Sequence, residues 1–140
     1  MREVKPVGIL SILESQSRYS LRAEEMSTLV DQLDRDLRKI ASAYLRKGSV
    51  VLAIMEYTTD ILGSKFGTSG GSGLLTDGEY YWRGDAADYV EHYGIALDED
   101  FLWRVLEQDG DPPVLTQEEI IEVDRYFMAL RHSAKSGTST

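Results

Sequence analysis

Residues 70–103 read GGSGLLTDGEYYWRGDAADYVEHYGIALDEDFLW, and the punctuation in this stretch decides the fold. Leu74-Leu75-Thr76 is a short apolar run, and Glu79-Tyr80-Tyr81-Trp82 is rich in strand-favouring aromatics. Asp77-Gly78 between them suits the two positive-φ positions of a type I′ turn, so a hairpin is expected with strands at 73–76 and 79–82. Alternation puts Tyr80 and Trp82 on one face, and Glu79 and Tyr81 on the other, with the heavier face inward. Gly84 or Asp85 then opens a helix. Ala86, Tyr89, Val90 and Tyr93 recur at helical spacing, Asp88 stands near the positive end of the dipole, and Glu91 and His92 share the polar side. Gly94 stops this helix as a left-handed cap, with Ile95 as the cap's hydrophobic contact. Asp98 starts the next, whose apolar face is Phe101, Leu102, Val105 and Leu106, and Gly110-Asp111-Pro112-Pro113 ends it.

Outward from this centre the signals vary in strength. Upstream, Met26, Leu29, Val30, Leu33, Leu37, Ile40, Ala41, Tyr44 and Leu45 form a helical stripe, predicting one long helix from a cap at Ser20 to Gly48. Residues 7–13 fit either a buried strand or a short helix, with helix preferred. Residues 49–62 also fit two periods; β-branched content favours a strand at 50–57, beside the hairpin. Residues 64–73, SKFGTSGGSG, read as a flexible loop with the look of a linker. Downstream, Thr116 and Glu119 form a capping box for a helix running to about Arg131, and 132–140 read as a disordered polar tail. The expected architecture is α+β: a helix-rich single domain over 1–131 with a small antiparallel β-hairpin.

Composition narrows the function classes. With 140 residues and no cysteine, the chain has room for a core but no disulfide or thiolate metal site. No apolar run approaches the roughly 20 residues of a membrane span. The charged opening MREVKP is not the pattern of a secretory leader, and cytoplasmic residence is expected. The net charge of −9 is lopsided: +1 over residues 1–76, −13 over 77–124 and +3 over 125–140. A concentrated negative segment repels nucleic-acid phosphates and anionic membranes and attracts a basic protein surface.

Motifs for chemistry are thin. The glycine-rich run 67–73 lacks the Gly-Lys-Ser/Thr ending of a phosphate loop and is followed by a strand signal. Asp77 with Glu79, and Asp88 with His92, are oxygen and nitrogen donors at suggestive spacing, but no calcium-hand pattern surrounds them; no metal and no cofactor is expected. A nucleophile–base arrangement is missing, so catalytic residues are not assigned. What remains is a binding face. Trp103 stands off the apolar stripe of its helix and Tyr81 stands opposite Tyr80 and Trp82; exposed aromatics among acids are the make-up of an interaction hot spot. The expected partner-binding set is Asp77, Glu79, Tyr81, Asp85, Asp88, Glu91, Asp98, Glu99, Asp100 and Trp103. The alternative is a small enzyme or ligand-binding domain using the hairpin aromatics and the neighbouring carboxylates.

The segment from Leu74 to Leu102 (Thr-Asp-Gly, an aromatic strand ending in Trp, an acidic helix with Tyr-Val, then a helix with Phe-Leu) resembles small bacterial proteins of the kind that includes immunity proteins of polymorphic toxin systems. The resemblance implies a small cytoplasmic protein that binds and neutralises a basic toxin domain, often a nuclease.

Overall fold

The computed structural model describes residues 1–11 and 24–138. At its centre lies the hairpin, β5 (Leu74–Thr76) paired antiparallel with β6 (Tyr80–Arg83), with Leu75 opposite Trp82 and Thr76 opposite Tyr81. The turn lies one residue further along than expected. Gly78 and Glu79 are its central residues, and only Gly78 has a positive φ, 93°. Asp77 accounts for the shift. Its Oδ1 accepts the amides of Glu79 (2.9 Å) and Tyr80 (2.7 Å), so the side chain closes the turn from within.

Two more strands complete this sheet, in the order β1-β6-β5-β2. β1 (Lys5–Pro6) runs parallel to β6, and β2 (Ser49–Leu52) runs antiparallel to β5. The strand expected at 50–57 is therefore beside the hairpin but ends at Leu52. The chain then forms β3 (Tyr57–Thr59), which pairs with β4 (Gly67–Ser69) in a separate two-stranded sheet. At the N-terminal end, the amides of Lys5 and Val7 donate to Glu79 and Tyr81 of the hairpin, which holds the chain extended. The helix preferred at 7–13 is reduced, within the described residues, to a 3-10 turn at Gly8–Ser11.

The glycine-rich stretch is a correction: it is packed, not a free loop. The amides of Gly84 and Asp85 donate to the carbonyls of Gly73 (2.9 Å) and Gly71 (3.0 Å). A Cβ on Gly84 would lie 2.5 Å from the Gly70 carbonyl oxygen. Glycine is needed there for close backbone approach rather than for mobility.

The long helix is a second correction. Residues 24–27 are helical, the chain then turns, and α1 (Arg35–Arg46) starts afresh at Asp34, whose side chain accepts the Leu37 amide at 2.9 Å. The break is held from outside. α2 (Ala86–Tyr93) ends at Gly94 in the left-handed conformation, as predicted. The carbonyls at that end take the amides of Asp31, Gln32 and Leu33, so the interrupted segment satisfies groups the α2 terminus would leave unpaired. The cap expected at Ser20 lies outside the described residues.

α3 (Glu99–Glu107) and α4 (Gln117–Thr138) follow. The capping box forms as read: the Thr116 amide donates to Glu119 Oε1 at 3.0 Å, and the Glu119 amide to Thr116 Oγ1 at 3.2 Å. α4 continues past Arg131, where a polar tail was expected, to Thr138. The four-stranded sheet is covered on both faces. Leu75, Tyr80 and Trp82 pack against residues of α1, α2 and α3, whereas Leu74, Tyr81 and Leu52 meet Val123 and Phe127 of α4. Trp82 is wholly buried, and its Nε1 donates to the Leu45 carbonyl at 2.9 Å. The fold is α+β, a single domain. Among the described residues no helix is long and apolar enough to cross a membrane.

Candidate binding face

Phe101 and Val105 fix α3 by burying fully, and the Phe101 ring meets Tyr44, Tyr80 and Trp82 edge-on at 5.1–5.8 Å. Arg104, on the next flank, reaches back to the hairpin turn. Its Nε donates to Asp77 Oδ2 at 2.7 Å and its Nη1 pairs with Glu79 Oε2 at 2.8 Å. Burial opposes the Arg104 charge, but the bond to Asp77 and the fields of Asp77 and Glu79 carry its pKa above the ordinary value. With these contacts facing inward, the opposite side of α3 faces out. Trp103 is 59% exposed, Leu106 is 43% exposed, and Asp98, Glu99 and Asp100 are all exposed. Asp98 precedes the helix without spending its carboxylate on a cap bond. No ion pair engages these three acids among the described residues. They line a cleft of about 400 Å³ with Lys5, Pro6 and Tyr80. Burial, first, and then the carboxylates of Asp100, Glu79, Asp77 and Asp98 push the Tyr80 phenol above its usual pKa, which registers the negative field at this end of the molecule.

The rest of the expected set divides by what each acid already holds. Asp77 is fully buried and accepts from Tyr44 Oη (2.6 Å) as well as Arg104. Asp85, also buried, forms a two-point pair with Arg83 (3.1 and 3.0 Å) and accepts from Thr58 Oγ1 at 3.1 Å. Neither can meet a partner. Tyr81 is half-buried, with its ring edge-on to Phe127 at 4.8 Å, so it anchors α4 rather than a ligand. Glu79 is exposed but paired with Arg104. Asp88 and Glu91 share Arg46, and Asp88 also accepts from Thr68 Oγ1 at 2.6 Å. The structure thus gathers Asp98, Glu99, Asp100 and Trp103 on α3 and separates them from the acids of α2.

Asp88, Glu91 and His92 bring three donor atoms within 4.8 Å of one another. The Arg46 guanidinium already supplies the positive charge there: burial works against it, but its bonds to Glu91 and Asp88 raise its pKa. The His92 ring stacks on Phe66 at 5.1 Å. A larger groove, about 780 Å³, runs along α1 between Arg35 and Arg46, with Glu91 on its far wall. Trp82, the aromatic centre of the alternative ligand-binding reading, lines neither cleft. The Arg104 clamp was not legible beforehand; an arginine four residues after an acidic helix start reads equally well as a solvated charge. A scan of family models, the curated proteins and the solved structures gives no match to this chain.

Proposed function

We propose that this chain is a cytoplasmic protein-binding module whose recognition face is the outer side of α3, and that its partner is a basic protein surface, such as the toxin domain an immunity protein masks. The observation that carries the reading is Trp103. A large aromatic, mostly in solvent, stands one helical turn from Glu99 and Asp100, which have no internal ion pair among the described residues. An apolar anchor ringed by unspent charge of one sign suits a partner of the opposite sign. By masking a cationic surface, such a face competes with that surface's anionic substrate. The acids at Asp77 and Asp85 support it indirectly: they fix the turn and the start of α2 against which α3 is set.

The test is capture of partners from the native host, followed by mass spectrometry, with three variants. Trp103→Ala weakens the captured complex by about 2 kcal/mol, near thirtyfold. Asp98→Asn/Glu99→Gln/Asp100→Asn reduces capture, and Asp88→Asn/Glu91→Gln leaves it intact. Equal capture by all four proteins would show that the recognition face lies elsewhere.

A further inference from the structure

Tyr80 lines the cleft of about 400 Å³ at the start of α3, together with Lys5, Pro6, Asp98, Glu99 and Asp100. Its ring is held by Phe101, which meets it edge-on at 5.1 Å, and the residue is only 7% exposed. Yet its hydroxyl has no hydrogen-bond partner among the described residues; the bonds made at Tyr80 use its backbone amide and carbonyl. The other buried tyrosines all use theirs. Tyr44 donates to Asp77, Tyr93 donates to Asp60, and Tyr89 accepts the Ile61 amide. A polar group taken this far out of water is normally partnered, because nothing else offsets its lost hydration. The Tyr80 hydroxyl is the exception, and it belongs to a residue that lines a cleft.

The lining selects the class of ligand. Three carboxylates against one ammonium leave the cleft negative, so its occupant is a cation. Burial, and then the neighbouring carboxylates, raise the Tyr80 pKa, so the phenol stays protonated: a poor ligand for a metal ion, but an acceptor for an N–H donor. The carboxylates come from consecutive residues and point apart around the helix start, which suits the compact, three-donor ammonium better than the flat fork of a guanidinium. The chain's own Lys5 shows the fit. Its ammonium stands 5.8 Å from the centre of the Tyr80 ring, within cation–π range, and makes no ion pair among the described residues. We propose that this cleft receives a lysine side chain of the basic partner, with Tyr80 Oη accepting from its ammonium, the acids of α3 balancing its charge, and Lys5 giving way to it. The proposal rests on the outer side of α3 being the recognition face.

Titration of Nα-acetyl-lysine-N-methylamide into the full chain at constant ionic strength, followed by NMR of the Tyr80 ring and the amides of Asp98, Glu99 and Asp100, tests the pocket. The expected result is saturable shifts at these groups, and none with the norleucine counterpart, which has the stem without the charge. Tyr80→Phe removes only an unpartnered hydroxyl, so it weakens binding by about fivefold and leaves the melting temperature unchanged. Asp98→Asn/Asp100→Asn weakens it by about tenfold, and Lys5→Met, which removes the competing cation, tightens it by about threefold. Absence of saturable binding, or equal binding by the Tyr80→Phe chain, would overturn the pocket, and if capture of the partner still depended on Trp103 the α3 face would stand without it. Binding that persists while capture ignores Trp103 and the three acids would overturn the face, and the partner's lysine with it. Putrescine bound about a hundredfold more tightly than the lysine amide would make the occupant a free diamine and likewise overturn the proposal.

Discussion

Asp77 ties three elements together through one carboxylate. Oδ1 takes two amides of the hairpin turn, and Oδ2 takes the Tyr44 hydroxyl from α1 and the Arg104 guanidinium from α3. The same bond, after burial itself, drives the Tyr44 phenol well above its ordinary pKa, so the hydroxyl remains a donor throughout the physiological range. Asp77→Ala leaves a half-buried arginine and a buried phenol without their acceptor, and a loss of about 3 kcal/mol is expected in urea unfolding. Tyr44→Phe should cost only about 1 kcal/mol, since Arg104 still holds the carboxylate. Similar losses from the two changes would mean that Arg104 adds nothing. Asp60 gives the matching pH effect. Burial raises its pKa, but the Tyr93 hydroxyl and the amides of Lys65, Leu62 and Gly63 outweigh that, so the folded value lies below the usual carboxylate range. A lowered folded pKa means that the stabilisation is complete above the unfolded pKa and is lost as pH falls through the folded one. Asp60→Asn should therefore flatten the acid limb of the stability curve, and an unchanged limb would contradict the assignment.

Among elements, glycine positions that look alike in sequence differ in what they cost to replace. Gly94 has φ 60°, and a Cβ there would meet the Arg38 guanidinium, a side-chain end that can shift only by giving up its bonds to the Leu33 carbonyl and Asp31. Gly94→Ala should lower stability by about 1–2 kcal/mol, mostly for the left-handed backbone. At Gly84 the obstruction is the backbone of Gly70 and Gly71, which cannot swing away, so Gly84→Ala should cost more, about 3 kcal/mol. Thermal melts of the two variants check the order. The contrast also separates what was legible in the sequence from what was not. Gly94, the Thr116–Glu119 box and the inward face of Tyr80 and Trp82 depend on neighbours within a few residues, and pattern alone locates them. The break between 27 and 35 depends on bonds from Asp31, Gln32 and Leu33 to an end of α2 some sixty residues away, while the apolar stripe runs on without interruption. Close-packed glycine at 70–73 is written in the same letters as a flexible linker. Trp103 was legible as an outlier from its stripe; the burial of Asp77 and Asp85 was not, because composition does not reveal which acids meet an arginine inside.

For the molecule as a whole, the lopsided charge of the sequence becomes two separate acidic regions with different electrostatic status. Around α2, Arg46 neutralises much of what Asp88 and Glu91 contribute. At the start of α3, Asp98, Glu99 and Asp100 have no ion pair among the described residues and line a cleft whose only cationic lining residue is Lys5. Interactions between exposed charges extend about 10 Å at 0.1 M salt, so under the proposed function these acids would act on a cationic partner mainly before contact, through its rate of arrival. Under the same proposal Trp103 would act only on contact, through the rate of departure. Stopped-flow measurements with the captured partner should therefore separate the two. Asp98→Asn/Glu99→Gln/Asp100→Asn slows association and flattens its dependence on salt, with dissociation little changed. Trp103→Ala does the opposite, preserving association and its salt slope while speeding dissociation by about thirtyfold. If the unmodified chain associates at a rate indifferent to ionic strength, the field at α3 has no part in recognition, whatever Trp103 contributes.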